Sequence, residues 1–288
     1  MASAVCSASC HDRAIPPRSV TPGPTATTAR GPSSSLVRRP IRSATGCQAL
    51  ACATNARGVY EQPTAEYVLG LILALAKDFP GTWEHQRRRE WRPRPSDDIT
   101  GRTVLVWGTG PIGRAIARLL RAVGMRVSGA GRTSRTEDLD FGTVHGAATL
   151  RSALTEADYV VLAAPLTRGT RGMVDAPGLA AMKPGARLIN VGRGGLVDEE
   201  ALVDHLASGR LAGAALDVFA REPLPVESPL WNMPGVMISP HAAGETTSER
   251  EALIEVFLDN FARHLEGRPL RNVVDKQRGY VVDDTHRA

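Results

Sequence analysis

Thr103-Val104-Leu105-Val106-Trp107-Gly108-Thr109-Gly110-Pro111-Ile112-Gly113-Arg114 decides the fold of this chain. A short apolar, β-branched run has the character of a buried strand, and a Gly-rich turn follows it at once. From Arg114 to Val123 the pattern becomes helical. A G-x-G-x-x-G set between strand and helix is the context a dinucleotide fingerprint requires. The three glycines do different things. Gly108 permits the tight turn, Gly110 allows close approach of a pyrophosphate, and Gly113 lets the helix pack on the strand. The N–H groups and dipole at the start of the helix favour the phosphate charge.

Reading outward, short apolar runs recur at Met125–Ala130, Tyr159–Ala163, Arg187–Val191, Ala212–Val218 and Val236–Ser239. Helical patterns near Thr149–Glu156 and over Glu199–Ala207 lie between them, and a last helix runs from Thr247 to Leu265. Apolar strands alternating with helices imply a doubly wound parallel α/β sheet, covered on both faces. There is no internal repeat.

Upstream the texture changes twice. Thr64–Phe79, with Pro63 near its first turn and Pro80-Gly81 after it, reads as a helix that is apolar nearly all round. Such a helix is buried or lies at a subunit interface. The polar, basic, Pro-broken stretch from Arg87 to Pro95 reads as a linker. Residues 1–50 are rich in Pro, Ser, Thr and Ala without periodicity, and the expectation there is disorder, with transit-peptide composition as the other reading. The resulting division is 1–52 disordered, 53–98 an interface-helix segment, 99–267 the dinucleotide-binding domain, and 268–288 a C-terminal tail.

The net charge of +5 does not mark a nucleic-acid binder. Residues 1–50 hold six Arg and one acid, Asp12, so the remainder of the chain is neutral. A basic footprint should belong to the folded part. All four cysteines (Cys6, Cys10, Cys47 and Cys52) sit in the first 52 residues, at spacings unlike a zinc site. A thiol-free remainder suits a reduced, cytoplasmic setting. The longest apolar run, Tyr67–Ala76, has ten residues, which is too short to span a bilayer. Neither a metal, a nucleic acid nor a membrane is expected as a partner.

The turn after the second strand distinguishes the two nicotinamide dinucleotides. NAD calls for an acid there, to hold the ribose 2′-OH. This chain has Gly131-Arg132-Thr133-Ser134-Arg135 instead, and the first acid is Glu137. Arg132 and Arg135, with the hydroxyl of Thr133, suit a 2′-phosphate, so NADP is preferred and NAD possible. Three further segments each follow a strand: Asn190-Val191-Gly192-Arg193-Gly194-Gly195, Asp217-Val218-Phe219-Ala220-Arg221-Glu222, and Ser239-Pro240-His241-Ala242-Ala243-Gly244. Ligands in open parallel sheets bind beyond the carboxyl ends of strands, so Arg193, Glu222 and His241 converge on one crevice.

Those segments, together with Ala164-Pro165-Leu166-Thr167, Leu230-Trp231 and Arg268-Pro269-Leu270-Arg271-Asn272-Val273-Val274-Asp275, make the chain from Asn55 to Tyr280 resemble the D-2-hydroxyacid dehydrogenases. The resemblance implies hydride transfer between NADP(H) or NAD(H) and a small 2-keto or 2-hydroxy acid such as glyoxylate or hydroxypyruvate. It implies Arg193 as the substrate clamp, His241 as general acid/base, Glu222 as its partner, and Asp217 as the residue orienting the nicotinamide carboxamide. It adds Ala164, Pro165, Thr170, Val191, Gly192 and Gly244 to Gly108, Thr109, Gly110, Pro111, Ile112 and Gly113 as cofactor contacts. It also implies a homodimer through the Thr64–Phe79 helix. His145, His205, His264 and His286 match nothing in the family and read as solvated.

One departure stands out. The family opens with a substrate lobe carrying a Gly-rich loop, and neither that loop nor its alternating strands is found upstream of Asn55. The expectation is a truncated substrate lobe to which residues 53–98 and the tail 268–288 belong. The cleft is then half built, with cofactor binding retained and turnover poor. The contrasting expectation is a nucleotide-binding interaction protein, as in the family's corepressor branch, or a catalytically dead homologue.

Overall fold

A sheet of eight strands is the frame on which everything else hangs. The computed structural model describes residues 52–281; the expected disorder of residues 1–50, three of the four cysteines and His286 lie outside them. The strands are β1 (Thr103–Trp107), β2 (Arg126–Ala130), β3 (Arg135–Asp138), β4 (Gly142–His145), β5 (Tyr159–Leu162), β6 (Arg187–Asn190), β7 (Gly213–Leu216) and β8 (Val236–Ile238). Their spatial order is β3-β4-β2-β1-β5-β6-β7-β8. All neighbours pair parallel except β3 with β4. This is a doubly wound Rossmann sheet, and the chain reverses direction across it at β1, with β2 on one side and β5 on the other. Such a switch point opens a crevice at the carboxyl end of β1, where Gly108 stands.

Helices α1 (Glu61–Ala76), α2 (Phe79–Arg88), α3 (Pro111–Ala122), α4 (Ala147–Glu156), α5 (Ala176–Ala181), α6 (Glu199–Ala207) and α7 (Glu249–Leu265) complete the fold. One face of the sheet packs Val104, Val106 and Val161 against Ile116 and Leu120 of α3 and against Ala65, Val68 and Ile72 of α1. The other face packs Leu105, Val160, Leu162 and Leu188 against Leu154, Leu179 and Leu202 of α4, α5 and α6. Strands buried on both faces have to be apolar at every position, which is why they read as runs and not as alternations.

Three elements have no pattern of their own in the sequence. Helix α2 begins where Pro80-Gly81 reads as a stop. Asp78, at φ 50°, turns the chain and accepts a hydrogen bond from the Gly81 N–H at 3.1 Å, so the proline sits in the first turn of a new helix. Helix α5 is a single capped turn and a half, its Asp175 carboxylate accepting from the Gly178 N–H at 2.9 Å. The hairpin β3–β4 is charged and exposed, and a side-chain cluster holds it. The Asp138 carboxylate, only 5% exposed, accepts from Arg114 Nη1 at 3.1 Å and from Arg135 Nε at 2.7 Å. The backbone N–H groups of Asp140 and Phe141 donate to it as well.

That cluster makes a stability prediction with a definite sign. Burial opposes ionisation of Asp138, but the two guanidiniums and two N–H groups outweigh it and hold its carboxyl well below the usual carboxylate range. A depressed folded-state pKa contributes stability that is fully present above the unfolded value, near 4, and is lost as pH falls toward the folded one. Asp138→Asn is expected to cost about 2 kcal/mol at neutral pH, less than for a fully buried pair because both arginines reach solvent. Urea midpoints taken at pH 7 and pH 3 should show the penalty shrinking in acid; an undiminished penalty at pH 3 would mean the carboxylate's charge is not what the hairpin needs.

Candidate active site

The turns after β1, β5, β6, β7 and β8 meet above the carboxyl edge of the sheet. The fingerprint glycines are needed for three different steric reasons. Gly108 has φ 128°, and a Cβ there would lie 2.5 Å from the Ala163 carbonyl carbon. A Cβ on Gly113 would lie 1.8 Å from the Gly108 oxygen. On Gly110 it would meet nothing within 4 Å. The outer two glycines therefore serve the protein's own packing, whereas the middle one borders open space. Helix α3 starts there with Pro111, and no side chain caps it. An uncapped helix start beside an open glycine fits a dinucleotide pyrophosphate.

The neighbouring turns frame this cradle. Thr109 packs its side chain against Gly131 at the end of β2. After β5, Thr170 Oγ1 donates to the Pro165 carbonyl at 2.6 Å and accepts from the Thr167 N–H at 2.7 Å, which staples the loop beginning at Ala164. Gly192 is buried, and its Cβ position lies 3.0 Å from the Ala164 oxygen; Val191 just before it packs on the core. Gly244 abuts the Tyr60 ring, 2.8 Å from a Cβ built there.

Arg193 follows β6, and its turn is built by Asn190. That buried amide accepts from the Gly192 N–H and donates to the Arg193 carbonyl, both at 3.1 Å. The guanidinium donates to its neighbour's carbonyl, Gly192 O, at 2.6 Å. No salt bridge to it occurs among the described residues. Beside it, Gly194 lets the β6 turn touch the loop after β7: a Cβ there would sit 1.8 Å from the Phe219 carbonyl carbon.

That β7 loop carries Glu222. Its Oε1 accepts from the Phe219 N–H at 3.0 Å, and its Oε2 lies 2.8 Å from His241 Nδ1. Burial pushes this carboxyl up, but the His241 contact, the Phe219 N–H and the nearby Arg193 charge together hold it below its ordinary value. An ionised carboxylate can only accept, so Nδ1 carries the hydrogen and Nε2 is left free for proton exchange. Arg193, Glu222 and His241 thus share one corner, the last two being 37% and 46% exposed.

Two candidates have unexpected company. Asp217, expected to orient a nicotinamide amide, is 1% exposed and committed to its own chain. Its Oδ1 accepts from Ser239 Oγ at 2.6 Å and the Ala242 N–H at 2.9 Å, and its Oδ2 from the Ala243 N–H at 3.0 Å. It holds the turn on which His241 sits at φ 57°. Arg135, expected beside Arg132 at a 2′-phosphate, is tied to Asp138. Arg132 and Thr133 are exposed at the end of β2. Asn190 and Glu199 are positioning residues that sequence reasoning misses. Glu199 Oε1 accepts from the Ala220 N–H at 2.5 Å, steadying the loop that bears Glu222, and burial keeps its carboxyl pKa raised. Their only sequence signal is position: one ends a strand and the other starts the next helix.

Among the described residues no group of three or more His, Cys, Asp or Glu could hold a metal ion. No helix among them is long and apolar enough to cross a membrane. Of the histidines expected to be solvated, His264 is exposed, while His145 and His205 are half-buried. The Nδ1 of His145 lies 3.3 Å from Thr149 Oγ1, and that of His205 lies 2.8 Å from the Ala201 carbonyl.

A Rossmann sheet with this cradle and an imidazole–carboxylate pair beside a cation defines a dinucleotide-dependent oxidoreductase. Residues 69–243 match the D-isomer specific 2-hydroxyacid dehydrogenase, NAD binding domain family, and the chain belongs to it. Glyoxylate/hydroxypyruvate reductase B of Pectobacterium carotovorum is 35% identical over 226 residues, covering 76% of this chain and 70% of that one. The (S)-sulfolactate dehydrogenase of Chromohalobacter salexigens is 39% identical over 204 residues, 70% of this chain and 66% of its own length. Among solved structures, the NADPH-dependent glyoxylate/hydroxypyruvate reductase of Sinorhizobium meliloti, in complex with NADP and sulfate, superposes with a TM-score of 0.70 at 35% identity. That alignment covers 77% of this chain and 71% of the other. The chain is a member of a family of NAD(P)-dependent 2-hydroxyacid dehydrogenases, whose chemistry is hydride transfer.

Proposed function

We propose that this chain reduces a small 2-keto acid, of glyoxylate or hydroxypyruvate size, with NADPH in preference to NADH. The observation that carries the reading is the 2.8 Å contact of His241 Nδ1 with Glu222 Oε2, beside the Arg193 guanidinium. The bound dinucleotide supplies the hydride. Arg193 clamps the substrate carboxylate and carbonyl oxygen with a planar, permanently charged fork. His241 gives a proton from Nε2 to the developing alkoxide, and Glu222 stabilises the imidazolium that does so. Asp217 and Asn190 set the two turns that aim these groups. The exposed Arg132 and Thr133, with no acid at the end of β2, support NADPH. Phe79 and Trp83, 40% and 53% exposed, border an apolar groove with Tyr67 and Leu71 of α1, which supports a homodimer. A reduced, cytoplasmic setting accords with a chain that has no cysteine after Cys52.

A second reading, dinucleotide binding without turnover, is favoured by one observation. The His241 and Glu222 side chains are 46% and 37% exposed, and exclusion of water strengthens electrostatic catalysis. One experiment separates the two. Oxidation of NADPH is followed with glyoxylate, hydroxypyruvate and a longer 2-keto acid, alongside a titration of NADPH binding by fluorescence. Keto-acid-dependent oxidation, faster with NADPH than with NADH, is the expected result. Tight binding with no oxidation would establish the second reading instead.

A further inference from the structure

We propose that Tyr280 is a specificity-determining residue for the adenosine end of the cofactor: its ring holds Arg132 as a ready fork for a 2′-phosphate. The inference rests on the NADPH reading above and deepens it. The two arginines after β2 are held differently. Arg135 spends its Nε on Asp138. Arg132 has no hydrogen bond or ion pair among the described residues, and its Cζ lies over the Tyr280 ring, 5.3 Å from the centroid. Stacking uses the face of a guanidinium and leaves its N–H edge open, and that edge is what pairs with a phosphate.

The platform is fixed by segments distant in sequence from Arg132. Strands β9 (Val274–Asp275) and β10 (Tyr280–Val281) form a small antiparallel hairpin in which Tyr280 faces Asp275. Its turn is closed by the Gly279 N–H on the Asp275 carbonyl at 2.7 Å. The hairpin is anchored where the Val274 N–H meets the Ala53 carbonyl at 2.8 Å and the Asn55 N–H meets the Asn272 carbonyl at 3.1 Å. The turn that bears Arg132 is pinned as well, by the Gly131 N–H on His145 O and the Gly146 N–H on Ser134 Oγ, both at 2.9 Å. A long arginine loses rotamer freedom when it grips a ligand, and stacking beforehand removes part of that cost. The Tyr280 hydroxyl is buried without a hydrogen-bond partner, so the ring and not the oxygen supplies the contact.

The test is a fluorescence titration of NADPH and of NADH on the full chain, on Tyr280→Leu, Tyr280→Phe and Arg132→Gln. Tyr280→Leu should weaken NADPH by about fivefold and leave NADH nearly unchanged, the size expected for a partly exposed cation–π contact. Tyr280→Phe should behave as the parent, and Arg132→Gln should lose the NADPH preference. Should the leucine variant not fold, Tyr280→Met serves in its place. Unchanged NADPH affinity in Tyr280→Leu, or an equal loss for both dinucleotides, overturns the role of Tyr280. If Arg132→Gln loses the preference while Tyr280→Leu keeps it, the cofactor reading stands and this inference alone falls. If the parent chain has no preference for NADPH, the cofactor reading fails first and takes this one with it.

Discussion

Gly194→Ala is expected to lower kcat/KM by about a hundredfold or more, although the substitution adds one methyl and touches no reacting group. The new Cβ would lie 1.8 Å from the Phe219 carbonyl carbon, 2.0 Å from its oxygen and 2.3 Å from the Ala220 nitrogen. All three are backbone atoms, so no side chain can swing aside. The β6 turn and the β7 loop must separate by more than an ångström to reach ordinary contact. One carries Arg193 and the other carries Glu222, which grips His241. Separating the clamp from the acid misplaces the substrate against both, and overpacking of this kind costs stability of about 1–3 kcal/mol besides. NADPH affinity should suffer far less, because the phosphate cradle belongs to a different turn. Steady-state rates with a binding titration check this, and a variant with parental kcat/KM would show that the two loops need not touch.

His241→Asn should remove about two to four orders of magnitude from kcat while leaving NADPH binding within about twofold. Asparagine is the informative replacement because position 241 has φ 57°, a left-handed conformation that Asn tolerates better than most residues. The turn is otherwise held by the His241 N–H on the Asp217 carbonyl at 2.8 Å and by the Asp217 carboxylate on the next two N–H groups. The variant should therefore keep the backbone and lose only the imidazole. An amide cannot exchange a proton at neutral pH, and Glu222 loses the ring nitrogen it faces at 2.8 Å. A kcat within tenfold of the parent would move the proton donor to another group.

The reasons some features are legible in sequence, and others not, are physical. The fingerprint from Gly108 to Gly113 shows because its glycines answer to local sterics and to a neighbouring strand and helix. Apolar runs such as Tyr159–Leu162 show because both faces of a parallel strand are buried. Helix α2 does not show, since Pro80-Gly81 reads as a stop although it lies in the first turn of a new helix. The β3–β4 hairpin does not show because its stability comes from Arg114, which is 24 residues away from Asp138, and not from any pattern of its own.

The order of residues by itself determined the α/β class, the phosphate-binding turn, and the identity of the arginine, glutamate and histidine that gather at the cleft. These follow from periodicity and from residue types that few other structures would place after strands. Only the tertiary structure decided what each group is free to do. It tied Arg135 to Asp138 and left Arg132 open, buried the Asp217 carboxylate beneath the His241 turn, and set Gly194 against the Phe219 backbone. Availability depends on which partners lie within about 3 Å in space, and distance along a chain carries almost no information about that.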